Sequence, residues 1–360
     1  MRRYACVVQV SLLCAFAACS PGSTGLNGPI QAAPPIEEVV CDRSITFPTI
    51  DGQTNFEQFV AAFDSADNEV RLTQIGALID AHGKNMLWMI AENDGTAMSG
   101  ALGYMVSGFS GNRGPWLKIE GLPMSLSPDG RLIAYISQRS DPPSPVSLRL
   151  MNSDGTEDTE IVSGINDRAR MTFSPDGKHL AFFALGSKDE PDTLEVIDIP
   201  PLRNASGGVI GIKKLATSAR LDAASGSRVA WSSTNVIAFC DSLRICTVLT
   251  DGADKRFIDI GYLEEWSPDG RTLAYSRFAV VSSDIFVTSD FGATKIQLTN
   301  TSDVDESDAH WSRDGTKVLV TAHPFPRHDS DGSLEEINVR TKKVTTLRTG
   351  GYDFGRYVQK

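Results

Sequence analysis

The chain has 360 residues, 41% hydrophobic and 22% charged, which leaves room for one large or two medium folded domains. Its formal net charge of −11 sets it against phosphate backbones and anionic lipid surfaces, so neither a nucleic-acid partner nor a polybasic membrane patch is expected. Beyond the N-terminus no run approaches the roughly 18 apolar residues of a spanning helix.

Met1-Arg2-Arg3 and the apolar stretch from Tyr4 to Ala18 read as a signal peptide over residues 1–18. Removing it lowers the 34 basic side chains to 32 against 45 acidic ones, a balance of −13. Phe16-Ala17-Ala18-Cys19 resembles a bacterial lipobox, with Phe16 where Leu is usual. The resemblance implies that Cys19 is lipidated and reaches the membrane through that anchor; cleavage after Ala17 is the alternative. Ser20 next to the cysteine fits an outer-membrane destination in a Gram-negative host. Residues 19–42 form the lipidated end and a tether, since Ser20 to Ile36 carries too little apolar mass to fold.

Residues 43–120 change character. Phe56, Phe59, Val60 and Phe63, then Val70, Leu72, Ile75, Leu78 and Ile79, recur at helical spacing. Asp67-Asn68 offers a break and an N-cap, and Gly83 a stop, so a short helical segment is predicted over 55–83. Strand-like text follows at Met86 to Ile90, Ala101 to Val106 and Trp116 to Ile119. This stretch is either a diverged copy of the repeat that follows, which is preferred, or a small N-terminal domain of its own.

Residues 121–350 repeat one phrase. Ser127-Pro128-Asp129-Gly130, Ser174-Pro175-Asp176-Gly177, Ser267-Pro268-Asp269-Gly270 and Ser312-Arg313-Asp314-Gly315 each follow an apolar residue and precede a β-rich run. Pro presets φ, Asp bonds back to local backbone and Gly accepts the positive φ that closes the bend. A damaged copy, Trp231-Ser232-Ser233-Thr234-Asn235, is one residue short. A second hairpin follows each first one, with turns such as Asn152 to Thr156, Asp290-Phe291-Gly292 and Arg340 to Lys343. The aligned serines stand 47, 58, 35 and 45 residues apart, around the roughly 40–45 of a four-stranded propeller blade. The runs after the turns are apolar at consecutive positions, as when both faces of a strand are covered. Pro-rich insertions at 141–145, 200–208 and 323–328 belong on the faces of such a ring, and the tail 351–360 either adds a closing strand or frays.

These residues resemble the TolB-type, WD40-like propeller repeat, also found in the propeller half of prolyl-oligopeptidase-like proteases. The resemblance covers about residues 120–350. It implies an all-β propeller of four-stranded antiparallel blades, five legible and six in all, behind the short helical segment. Partners implied are envelope proteins or a cell-wall component. The two-layer α/β domain usual before a TolB propeller is not evident.

Chemistry is sparse. Gly108-Phe109-Ser110-Gly111-Asn112 misses the last glycine of a nucleophile elbow, and the blades take up the chain, so no catalytic residue, cofactor or metal is assigned. Cys240 and Cys246 flank a turn centred on Leu243, which allows a disulfide or two reduced thiols. His323 and His328 with Asp329 and Asp331 offer a weak cation site at most, and the acids of 303–308 lack the pattern of an EF-hand loop. One and three residues before the apolar anchors stand Arg170 and Thr172, Arg228, Glu265, and Asp308 and His310. They line the axis either as a ligand site or as salt bridges between blades. The preferred reading is a non-catalytic, lipid-anchored binding platform at the periplasm or cell surface. The alternative is a metal-dependent hydrolase or lyase acting on a carbohydrate or lactone from the axial channel.

Overall fold

Leu180-Ala181-Phe182-Phe183 shows in one strand why this chain makes a ring. Leu180 and Phe182 pack into one buried cluster with Ile136, Leu148 and Phe173, while Ala181 and Phe183 pack into the next with Ile237, Phe239 and Val248. Side chains alternate across a strand, so an unbroken apolar run demands a neighbouring sheet on each face. Burying one such Phe contributes roughly 1.5–3 kcal/mol.

The computed structural model describes residues 36–48, 54–64, 69–71, 76–82, 85–91, 102–108, 117, 119, 121–137, 146–163, 165, 171–184, 192–200, 202–203, 209–210, 212–217, 228–241, 243–278, 282–325 and 331–357. The leader, Cys19, residues 20–35 of the tether, Arg170, His328 and the 141–145 insertion lie outside them; residues 36–42, expected as tether, are strand, paired with Thr54–Asp64. Among the described residues six antiparallel sheets have four strands, as the repeat predicts, and a seventh has three; this is one blade more than the six expected, because the stretch read as one diverged copy falls into two sheets. The only helical element among them is a single 3-10 turn at Asp290–Gly292.

Five blades follow the phrase already legible in sequence. The third holds Gly121–Leu126, Leu132–Ser137, Ser147–Asn152 and Thr159–Ser163. In the fourth are Thr172–Phe173, His179–Ala184, Thr193–Asp198 and Lys213–Thr217, with a small extra hairpin at Leu202–Arg203 and Val209–Ile210. The fifth comprises Val229–Trp231, Val236–Asp241, Arg244–Leu249 and Arg256–Ile260. Tyr262–Trp266, Thr272–Phe278, Ser283–Ser289 and Thr294–Gln297 make the sixth, and Val304–Trp311, Lys317–Pro324, Ser333–Asn338 and Val344–Thr349 the seventh.

The helices expected over 55–83 are strands. Ile36–Pro48, Thr54–Asp64 and Glu69–Arg71 belong to the first blade, and Gly76–His82 opens a three-stranded second blade with Asn85–Ala91 and Leu102–Gly108. Phe56 and Phe59 recur at helical spacing, but aromatic residues also favour extended chain. Antiparallel pairing, with Phe56 opposite Thr46 and Phe59 opposite Arg43, settles the competition. The tail supplies the missing fourth strand of the first blade: Tyr352–Tyr357 pairs with Ile36–Pro48 and packs on the inner strands of the seventh blade. Both ends of the folded chain thus meet in one sheet, which closes the ring.

The turns work as their residues predict. In all four complete copies the Ser Oγ donates to the Asp Oδ1 at 2.6–2.7 Å, and the Gly takes a φ between 67° and 72°. In the damaged copy Asn235 adopts the left-handed conformation at φ 63°, and Thr234 Oγ1 lies 2.8 Å from Ser232 Oγ. Asn is among the few side chains that tolerate that region, so the shortened turn still closes.

Candidate functional site

Inner strands carry a recurring irregularity. The register slips by one residue between Leu263 and Trp266 in the sixth blade and between Ser307 and His310 in the seventh. Such a bulge sets two residues against one and turns side chains that would otherwise face the sheets. Asp308 sits in the second bulge at φ 52°, a conformation unusual for a residue with a side chain.

The bulges aim carboxylates at one guanidinium. Arg228, just before the inner strand of the fifth blade, pairs through Nη1 with Glu264 and donates from Nη2 to Asp308 Oδ1 at 2.7 Å. Three successive blades are tied by one side chain. The Glu264 and Asp308 side chains are 2% and 9% exposed, and both bond to Arg228. Burial works to discharge the guanidinium, but the two carboxylates outweigh it and hold Arg228 even more firmly charged than usual. Glu264 also accepts from Ser276 Oγ at 3.0 Å.

A second tie lies beside the first. Glu265 Oε2 accepts from the Trp311 backbone N–H at 3.0 Å and lies 3.2 Å from His310 Nδ1. Asp80 in the second blade repeats the device, accepting from the Leu126 N–H at 2.8 Å. The indoles add another: Trp266 Nε1 donates to the Ala230 carbonyl and Trp311 Nε1 to the Glu265 carbonyl, each at 3.2 Å. Each tie runs from one blade to the next.

No family model matches the sequence, and no curated protein matches it either. Solved structures do. TolB from Acinetobacter baumannii is 15% identical over 89% of this chain and 83% of its own, with a TM-score of 0.50. Prolyl oligopeptidase B from Galerina marginata is 10% identical, with a TM-score of 0.58 over 87% of this chain and 51% of its own. An oligogalacturonate lyase from Vibrio parahaemolyticus is 12% identical, with a TM-score of 0.51 over 87% and 86% of the two chains. The fold is a TolB-like β-propeller. At these identities the likeness is one of fold alone.

Of the residues read as lining the axis of this propeller, Arg228, Asp308, Glu265 and His310 are brought together, while Arg170 lies outside the described residues. Glu264 was missed. Counting one and three positions back from Trp266 passes over it, because the count assumes an even strand and the strand bulges there. The doubled Glu264-Glu265 was the available signal.

Cys240 and Cys246 do not form the disulfide considered above. The hairpin pairs Asp241 with Arg244, so Cys240 stands opposite Ile245 and Cys246 opposite Phe239. That shift sends the two sulfurs to opposite faces, Cys240 toward the sixth blade and Cys246 toward the fourth. Burial pushes the Cys240 thiol up to about 12, which makes it a poor nucleophile. His323 is buried at 1% exposure against Gly332 rather than offered to a ligand in a loop. Among the described residues no three of His, Cys, Asp and Glu gather as a metal-holding group.

Proposed function

We propose that this chain is a non-catalytic propeller, anchored in the bacterial envelope through Cys19, that serves as a binding platform for an envelope protein or a cell-wall component. The observation that carries the reading is the closed bonding of Arg228. Arg228 is engaged by Glu264 and Asp308 from the next two blades, which supports a role in tying the blades together. The TolB-like fold and the leader-like residues 1–18 support the location.

Crosslinking in whole cells, followed by purification of the full chain, tests this. Defined envelope proteins or peptidoglycan fragments are expected on the wild type, and Cys19→Ala is expected to release the chain from the membrane fraction. A propeller enzyme working from the axis is the competing reading. Stoichiometric metal in the purified chain, with chelator-sensitive turnover of oligosaccharides or lactones, would establish that reading and end the platform.

A further inference from the structure

The outer strand of the fifth blade exposes two large apolar side chains, where those of the sixth and seventh expose one each, Ile296 and Val344. Phe257 and Ile260 are 49% and 54% exposed, and Leu243 beside them is 37% exposed. A register slip at Ile258 is responsible: Phe257 pairs with Cys246 and Ile260 with Arg244, which places both on the face turned toward the fourth blade. Ile258 is buried against the sixth blade instead. The Gly261 N–H donates to the Leu243 carbonyl at 2.8 Å, which ties the turn to the end of this strand.

Cations alternate with these side chains. The Arg244 guanidinium stacks 4.8 Å above the Phe257 ring, and Lys255 Nζ lies 5.4 Å above the Phe239 ring on the same face. Among the described residues no carboxylate lies within ion-pair reach of Arg244, so its planar fork of donors remains available. The resulting strip runs along one strand as Leu243 and Ile260, Arg244, Phe257, Lys255. In a chain of net charge −11 this is a local reversal of sign.

We propose that this strip docks an extended segment of a partner protein in which apolar side chains alternate with carboxylates. The proposal rests on the platform reading and gives it an address. Apolar side chains would cover Phe257 and Ile260, and a carboxylate would take the bidentate position on Arg244. A bilayer fits less well: the apolar positions form a strip one strand wide, and the chain as a whole repels anionic lipid.

The test is selection of displayed 12-residue random peptides on the full-length folded chain, with phosphatidylglycerol vesicles as a parallel probe. Enriched peptides are expected to carry at least two acids among apolar residues. Arg244→Glu and the pair Phe257→Ser/Ile260→Ser are each expected to weaken them about tenfold or more, with unchanged melting because all three positions are exposed. Two separate substitutions guard against one that misfolds. Enriched peptides without acids, or no enrichment, overturn the proposal. Peptides that bind both variants as well as the wild type overturn the strip while leaving the platform standing. Vesicle binding that Arg244→Glu abolishes assigns the strip to a membrane and overturns it too.

Discussion

The two ends of the ring are built by different rules. At one end lie the turns between first and second strands and between third and fourth strands, short and held by repeated side-chain bonds such as Ser267 to Asp269 and Thr156 to Asp154. At the other end the connections range from one residue, Gly261, to the eleven between Thr217 and Val229. The fourth blade, with its extra hairpin after Asp198, is the exception at the turn end. The contrast teaches that the fold is written at the end that repeats, which frees the other end to vary without disturbing the sheets.

The largest predicted effect concerns the closure that joins the regular blades to the divergent ones. Deleting residues 352–360 removes the inner strand of the first blade. A loss on the order of the whole 5–15 kcal/mol of a typical domain is expected, read as the disappearance of a cooperative urea transition. A truncated chain that melts like the full one would mean that the tail only decorates the ring.

At the variable end, Glu306 is buried on the inner strand of the seventh blade and accepts from Thr301 and Thr299. Burial pushes its carboxyl up to about 7 from 4.5; the threonine bonds oppose that, and the charges of Asp284 and Glu335 add to it. The folded state therefore holds a proton that the unfolded chain releases. The associated stability is complete below about pH 4.5 and is lost as pH rises through 7. Glu306→Gln should flatten that slope and stabilise the protein at pH 8 by about 3 kcal/mol, measured by urea melts across the range.

The turn end gives a smaller and sharper comparison. Gly270 and Gly315 share a left-handed φ, at 70° and 67°. Alanine at Gly315 meets nothing nearer than Pro268 Cδ at 3.9 Å, so only the backbone cost of about 1–2 kcal/mol is expected. At Gly270 the new methyl would run into the Ser232 and Ser233 hydroxyls of the fifth blade, adding about 1–3 kcal/mol. Equal melting of the two variants would show that these turns pack independently.

How much was legible follows the same division. Ser-Pro-Asp-Gly carries its mechanism in the letters, so five blades and their turns could be read directly. The N-terminal strands could not, because helical spacing in Phe56 to Phe63 also suits a strand, and only pairing with Ile36–Pro48 decides. The hairpin at Cys240 was misplaced by one residue, which inverted its faces. At the axis Asp308 was legible and Glu264 was not: the strand bulges before Trp266, and only the doubled Glu264-Glu265 hints at the slip.

The claim that the axis ties blades together rests on Arg228, and a mutant cycle tests it most directly. Arg228→Met is predicted to cost about 3–5 kcal/mol in urea melts, since it removes the guanidinium to which two buried carboxylates bond. Adding Glu264→Gln and Asp308→Asn should recover most of that loss. Arg228→Met melting like the wild type, or a triple variant no more stable than the single one, would contradict the account.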